Sequence, residues 1–166
     1  NDRDLVRGFL LTEAIVLRPQ EVVAVEFSDE GGVSARLAPG VEIDHEQFRR
    51  SMFTSSSCGV CGKNSIEAVM LHAPAAETVS ISTDVVAQLT DQLRSYQPLF
   101  DMTGGLHAAG IFSLEGKPLV VREDIGRHNA VDKAIGAFAW EHTDMWPPEP
   151  ALLPVSGRQS FEIIQN

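Results

Sequence analysis

The chain has 166 residues, and its hydrophobic fraction of 43% is enough for one packed domain with a small appendage. Its 13 basic and 23 acidic side chains give a net charge of −10, which argues against a general nucleic-acid binder because such proteins carry a basic face. No apolar run approaches the roughly 18 residues that span a membrane, and two cysteines cannot make a disulfide framework. We therefore expect a protein of the reducing cytoplasm with neither a nucleic acid nor a membrane as partner.

The first 50 residues predict a helix followed by a hairpin. Apolar side chains at helical spacing indicate an amphipathic helix over the first dozen residues. Val22–Phe27 and Val33–Leu37 flank a loop with two glycines, a pattern typical of two antiparallel strands. Asp44 begins a capping-box pattern that predicts a short polar helix. We assign residues 1–50 to a partial N-terminal α+β subdomain.

Residues 51–166 alternate between strand and helix patterns. The predicted elements are a short helix over about 65–70, strands at 78–82, 107–112, 119–121 and 151–155, a helix marked by Val86, Leu89, Leu93 and Tyr96, and a helix that starts near His128. This alternation predicts an α/β sandwich. The last turn leads into a helix that the given sequence does not finish, so we expect this second domain to be incomplete at its C-terminal end.

Both cysteines lie in one loop, Ser56–Lys63, where Cys58 and Cys61 are surrounded by serines and glycines. A buried structural cysteine usually lies in an apolar run instead. A Cys-x-x-Cys loop of this kind can bind a metal, cycle between dithiol and disulfide, or carry a reactive thiolate. A redox role like that of thioredoxin would need a strand immediately before the pair, and the sequence has none there.

Zinc is a weak explanation for the cysteine loop. Tetrahedral zinc needs about two more ligands, and none of the histidines has a tight spacing to the pair. Zinc deaminases combine His-x-Glu with Pro-Cys-x-x-Cys. Here Ala109 stands two residues after His107, and Ser57 precedes Cys58, so the residue that would move protons is missing. A thiolate nucleophile on an accessible loop, with Lys63 lowering its pKa, remains the favoured interpretation.

Three further loops carry polar or glycine-rich patterns at the junctions of strands and helices, and they comprise residues 100–110, 123–133 and 155–158. Adjacent glycines let a ligand approach backbone amides, and free amides at a helix start beside an arginine suit a phosphate. Ligands of open α/β sheets bind beyond the carboxyl ends of strands. The candidate ligand-binding residues are Thr103, Gly104, Gly105, His107, Gly126, Arg127, His128, Asn129, Asp132, Lys133, Ser156, Gly157 and Arg158.

Each of these loops also has a purely structural interpretation. The alternatives are a helix cap at Asp124 or His128, a simple turn at Gly104-Gly105, a hydrogen-bonded core histidine at His107, and a solvated helix face at Asp132 and Lys133.

Four stretches of the chain resemble, in order, the formate dehydrogenase accessory sulfurtransferase family. They are residues 56–63, 100–109, 122–133 and 155–158, and the opening Asp4–Glu13 matches as well. The resemblance implies a cytidine-deaminase-like fold, a three-layer α/β/α sandwich with a smaller subdomain, and a homodimer. The family continues beyond both ends of this sequence, so part of its cofactor pocket is expected to lie outside the 166 residues.

The same resemblance implies a function. Members take sulfane sulfur from a cysteine desulfurase and pass it to the molybdenum or tungsten bis-(pterin guanine dinucleotide) cofactor before that cofactor enters the formate dehydrogenase apoenzyme. Cys58 corresponds to the persulfide carrier, and Cys61 would assist as resolving thiol or relay. GDP or GMP would fit the anion-binding turns. The competing hypothesis is a non-catalytic chaperone that shelters the cofactor, with the cysteines binding a metal or acting as a redox pair.

Overall fold

A computed structural model describes residues 1–43, 78–146, 149–159 and 163–164. The elements in chain order are helix α1 (Asp2–Thr12), strands β1 (Val22–Phe27) and β2 (Val33–Leu37), helices α2 (Thr83–Ser95) and α3 (Pro98–Thr103), strands β3 (His107–Phe112) and β4 (Pro118–Asp124), and helix α4 (Arg127–Glu141). Cys58, Cys61 and the short helices predicted near Asp44 and over 65–70 lie outside the described residues.

The predicted N-terminal helix and hairpin are confirmed. Strands β1 and β2 pair antiparallel from Phe27 opposite Val33 to Val22 opposite Leu37, with one break in register near the start of β1. The hairpin turn contains Gly31 at φ +82°, a conformation that glycine adopts without strain. Side chains of the hairpin and of α1 share a small core, in which Leu10 and Val25 are buried. The hairpin therefore depends on α1 for its apolar face.

A second antiparallel sheet consists of β3 and β4, with His107 opposite Asp124 at one end. Residues 151–155 run antiparallel along the other edge of β3, where Val155 bridges Ala109 and Leu152 bridges Phe112. The predicted strand at 151–155 is thus present as two isolated bridges. Pro154 lies between them, and a proline cannot donate a ladder hydrogen bond.

Strand β3 is covered on both faces. Ala109 and Ile111 pack in the clusters that contain residues of α4, whereas Ala108 and Phe112 pack with Leu93 of α2. Successive side chains of a strand point to opposite faces, so a strand with a helix on each side must be apolar throughout. The described residues form a mixed α/β fold, as the alternation of patterns predicts.

Helix α4 crosses α1 at two glycines. A Cβ atom on Gly8 would lie 1.7 Å from the carbonyl oxygen of Asp132, and one on Gly136 would lie 2.0 Å from the carbonyl oxygen of Asp4. Only glycine allows two backbones to approach this closely. Helix α1 therefore packs against a helix of the predicted second domain, and the division at residue 50 itself stays a prediction.

Two features of the region after residue 77 differ from the sequence predictions. The strand predicted at 78–82 is wrong: these residues have no regular structure, and the Ser82 hydroxyl accepts a hydrogen bond from the Asp84 amide as the cap of α2. The helix predicted to close near Pro98 ends at Ser95, and a new helix, α3, begins at Pro98.

The apolar stripe predicted for α2 is only partly core. Leu89 and Leu93 pack against the sheet, while Val86 and Tyr96 are about half exposed, at 53% and 48%. In the described part of the chain, no helix combines the length and the apolar composition that crossing a membrane requires.

Candidate functional site

The three loops singled out in the sequence meet at one end of the second sheet. His107, the first residue of β3, pairs with Asp124, the last residue of β4, so the loop before β3 and the turn after β4 leave the sheet together. The bridge between Val155 and Ala109 brings the turn at Ser156 to the same end. Antiparallel pairing thus brings together residues as far apart in sequence as Ala108 and Ser156, which are separated by 48 positions.

The turn at 156–158 is fastened to β3. The Ser156 amide donates to the Ala108 carbonyl at 2.9 Å, and the Ser156 hydroxyl accepts from the Ala108 amide at 2.8 Å. A Cβ atom on Gly157 would lie 3.2 Å from both the Cβ of Arg127 and the Nδ1 of His107. Glycine at 157 therefore lets the turn lie against the two basic side chains. Arg158 is exposed.

The Gly104-Gly105 loop follows the six-residue helix α3. Gly104 has φ +66° and closes α3 by donating its amide to the Phe100 carbonyl at 2.7 Å. The Thr103 hydroxyl donates to the Leu99 carbonyl at 2.8 Å and accepts from the Gly105 amide at 3.4 Å. The Thr103 hydroxyl thus links the last turn of α3 to the glycine loop.

Glu123 holds the other end of α3. Its two carboxylate oxygens accept the backbone amides of Leu99 at 3.0 Å and Phe100 at 2.8 Å. Gln97, at the N-cap position, makes no capping hydrogen bond with its side chain. The cap of this helix therefore comes from a strand 23 residues further along the chain.

Asp124 accepts three hydrogen bonds at the start of α4. The donors are the Gly126 amide at 2.8 Å, the Asn129 side-chain amide at 3.1 Å and the Lys133 ammonium at 2.5 Å. Burial by itself would raise the pKa of Asp124, but these bonds, that from Lys133 foremost, outweigh burial and hold the pKa below its ordinary value. Asp124 is therefore an ionised carboxylate at neutral pH.

Arg127 and His128 occupy the first two positions of α4, whose N-cap residue Gly126 provides no side-chain cap. The Nε atom of Arg127 is buried and has no hydrogen-bond partner in the part of the chain that the structure describes. Burial, followed by the positive charge of Arg127, lowers the pKa of His128. A helix start with an unpaired guanidinium nitrogen is a suitable environment for a phosphate oxygen.

Asp132 faces away from the loops. It is 8% exposed and accepts a hydrogen bond from the Thr12 hydroxyl of α1 at 2.8 Å, and burial raises its pKa to about 7. With Asn129 it lines an otherwise apolar cavity of about 470 Å³ between α1 and the hairpin. Since Lys133 is also shielded, the interpretation of Asp132 and Lys133 as a solvated helix face is wrong.

A cavity of about 570 Å³ opens between α2, α3 and the turn at 154–156. Its walls include four of the predicted site residues: Gly104, Gly105, His107 and Ser156. Two further residues line the same cavity without a sequence signal. Gln97 is 3% exposed, and Arg94 pairs with Asp101 and lies 4.9 Å above the Phe100 ring. Neither residue belongs to a recognisable motif, so only the packing of α2 and α3 identifies them.

Metal ligation finds no support within the ranges that the structure describes. No group of three or more His, Cys, Asp or Glu side chains is arranged there to hold an ion. Hydrogen bonds to other protein groups instead occupy the hydroxyls of Thr103 and Ser156 and the carboxylates of Glu123 and Asp124.

The amino-acid sequence matches, over residues 1–166, the family model described as the FdhD/NarQ family. The sulfur carrier protein FdhD of Mycobacterium tuberculosis is 43% identical over 181 residues, covering 100% of this chain and 65% of the relative. The protein of the same name from Sulfolobus acidocaldarius is 37% identical over 166 residues, covering 100% and 62%. The chain thus spans slightly less than two thirds of the length of these curated relatives.

A solved structure supports the fold. The crystal structure of a Desulfotalea psychrophila protein, described as a formate dehydrogenase accessory protein, superposes with a TM-score of 0.65. It is 20% identical in sequence, and the superposition covers 98% of this chain and 59% of that chain.

Proposed function

The chain belongs to the FdhD/NarQ family, and on that premise we propose that it is part of a sulfur carrier that serves formate dehydrogenase. The relatives from Mycobacterium tuberculosis and Sulfolobus acidocaldarius, at 43% and 37% identity, are both named sulfur carrier protein FdhD. The observation that carries the proposal is the convergence of three loops with ligand-binding patterns at one end of a sheet, where Arg127 begins α4.

Cys58 is the proposed carrier. Its thiolate attacks the terminal sulfur of a persulfide on a cysteine desulfurase; the sulfur–sulfur bond breaks, and the desulfurase cysteine leaves as a thiolate. Cys58 becomes a persulfide, and no net oxidation occurs. Cys61 then acts either as a relay that accepts the sulfur or as a resolving thiol that forms a disulfide with Cys58 and releases hydrosulfide. Because the reaction is an exchange at sulfur, thiolate fraction and access govern its rate.

The recipient in this proposal is the molybdenum or tungsten bis-(pterin guanine dinucleotide) cofactor, bound as substrate before it enters the formate dehydrogenase apoenzyme. The residues fit a phosphorylated ligand: Arg127 and His128 at the start of α4 suit its phosphates, and the glycines at 104 and 105 leave room beside the backbone. The neighbouring cavity of about 570 Å³ is large enough for a bicyclic ring. GDP or GMP would occupy the same site.

The proposed assembly follows the family resemblance. It is a cytoplasmic homodimer with a cytidine-deaminase-like α/β/α sandwich, and its protein partners are the desulfurase and the apoenzyme. The helices on both faces of β3 support the sandwich, because in such a fold helices form the two outer layers and the sheet forms the middle layer.

Intact-protein mass spectrometry after incubation with a cysteine desulfurase and cysteine tests the carrier role. We expect a mass gain of one sulfur atom that reductant removes and that maps to Cys58, and Cys58→Ala abolishes it. Cys61→Ala, a matched control in the same loop, still loads sulfur but fails to pass it on. Absence of loading on folded protein with free thiols would favour the non-catalytic cofactor chaperone instead.

A further inference from the structure

We propose that the adjacent carboxylates Glu123 and Asp124 are positioning residues that hold the two ligand loops in register with each other. The inference rests on the proposed function, because the loops matter only if they bind the phosphorylated ligand. Each carboxylate fixes a different loop. Glu123 fastens α3, which leads into Gly104-Gly105, and Asp124 fastens the turn that leads into Arg127. Both side chains accept hydrogen bonds from backbone amides of the loop they hold.

The contact of Glu123 decides whether α3 forms at its present place. A six-residue helix is too short to be stable by itself, and its first amides need acceptors. Since Gln97 provides no side-chain cap, the carboxylate of Glu123 supplies both acceptors, for Leu99 and Phe100. The other end of the same helix is Gly104 in the left-handed conformation. The placement of the glycine loop therefore depends on a residue of β4.

The contact of Asp124 decides how α4 begins. Asp124 and Lys133 are nearly shielded from solvent, with side chains 13% and 12% exposed, and they form an ion pair. The Lys133 ammonium also lies 3.5 Å from the Glu123 carbonyl oxygen. Asn129, one turn before Lys133, bonds the same carboxylate. Asn129 and Lys133, which the motif marks as ligand-binding residues, are thus committed to the turn, whereas the Nε atom of Arg127 has no hydrogen-bond partner among the described residues.

The direction in which Asp124→Asn changes the affinity for the anion distinguishes a positioning role from simple charge repulsion. A carboxylate beside an anion site repels the anion, so its removal should strengthen binding if charge alone matters. In Asp124→Asn the new amide group points a donor at the Lys133 ammonium, the pair is lost and the start of α4 shifts. We expect binding weaker on the order of tenfold, the effect of one misaligned charge-assisted hydrogen bond.

Calorimetric titration of the full-length protein with GDP measures these changes in affinity. Asp124→Asn and Glu123→Gln should both weaken GDP binding, while Glu115→Gln, which removes the same charge from the exposed turn at the far end of β3 and β4, should leave it unchanged. Lys133→Met should weaken binding without changing its salt dependence, because the ammonium does not touch the phosphate. The double variant that combines Asp124→Asn with Lys133→Met should bind GDP no more weakly than Lys133→Met alone, because both changes remove the same ion pair.

Three results would overturn the inference. They are tighter GDP binding by Asp124→Asn, a flatter salt dependence in Lys133→Met, and additive losses in the double variant. Hydrogen–deuterium exchange provides a second measurement that needs no ligand: Glu123→Gln should raise exchange in residues 97–104, and unchanged exchange there contradicts the role of Glu123. If wild-type protein loads sulfur but does not bind GDP, the nucleotide assignment fails, and positioning fails with it, while the carrier role of Cys58 stands.

Discussion

Replacing Gly136 by alanine tests the crossing of α1 and α4. Helix propensity alone predicts that this change stabilises the protein by about 1 kcal/mol, since glycine in a helix interior is unfavourable. The structure predicts the opposite sign. The new Cβ would lie 2.0 Å from the carbonyl oxygen of Asp4 and 2.5 Å from the backbone nitrogen of Gly8. Both are backbone atoms, so no side-chain rotation relieves the clash.

The size of the destabilisation by Gly136→Ala depends on which parts of the structure have to move. Overpacking of a core costs about 1–3 kcal/mol where side chains can adjust. Here the helices have to separate, and apolar contacts between α1 and α4 loosen with them, so we expect a loss of about 3 kcal/mol in the free energy of unfolding after the propensity gain is included.

Equilibrium unfolding in urea, followed by circular dichroism, gives this number from the midpoint and slope. Gly105→Ala is the matched control, because its Cβ would meet nothing closer than 3.9 Å and its backbone is not left-handed. We expect the control to change the free energy of unfolding by less than about 0.5 kcal/mol. A Gly136→Ala protein as stable as the wild type would refute the close crossing of the helices.

Two further substitutions test the charged groups. The folded-state pKa of Asp132, about 7 against an ordinary 3.8, means that the folded protein binds the proton more tightly, so stability falls as pH rises from about 4 to about 7 and is constant above. Asp132→Asn should remove up to about 4 kcal/mol of this pH dependence, so its free energy of unfolding relative to wild type should be higher at pH 8 than at pH 5. If urea unfolding gives the same pH dependence for variant and wild type, the prediction is wrong. Arg127→Ala should weaken GDP binding on the order of tenfold or more on calorimetry and leave persulfide formation intact. Arg36→Ala, an exposed arginine of β2, is its charge-matched control, and equal affinities for both variants would remove Arg127 from the site.

Elements with local signals were predicted well from the sequence. The hairpin strands have the predicted bounds, and α4 begins one residue before the predicted start. These elements carry their own turn glycines and apolar periodicity. The strand at 78–82 failed because apolar alternation without a partner strand is not sufficient, and Ser82 caps the following helix instead. Helix α3 could not be predicted because its cap, Glu123, comes from a distant strand.

In the candidate site, too, some features have local sequence signals and others depend on contacts with distant elements. Residue types and spacing alone indicated the Cys-x-x-Cys loop and the three polar loops, whereas the family was indicated by the resemblance of these stretches to a known family. What each polar residue of α4 contacts depends on the neighbouring elements. Residues four apart share one face of a helix. Asn129 and Lys133 therefore share the face that meets Asp124, and Asp132 and Gly136 share the face that meets α1.

The sequence by itself thus determined which groups are present for the proposed chemistry: a pair of thiols for sulfur exchange and basic, glycine-rich turns for an anion. Only the tertiary structure decided which charges are spent within the fold and which remain for a ligand. The physical reason is that a buried charge must be paired, and its partners come from elements distant in sequence. Asp124 forms an ion pair with Lys133, and Asp132 accepts a hydrogen bond from the Thr12 hydroxyl. Arg127 has a buried nitrogen for which the described residues provide no acceptor.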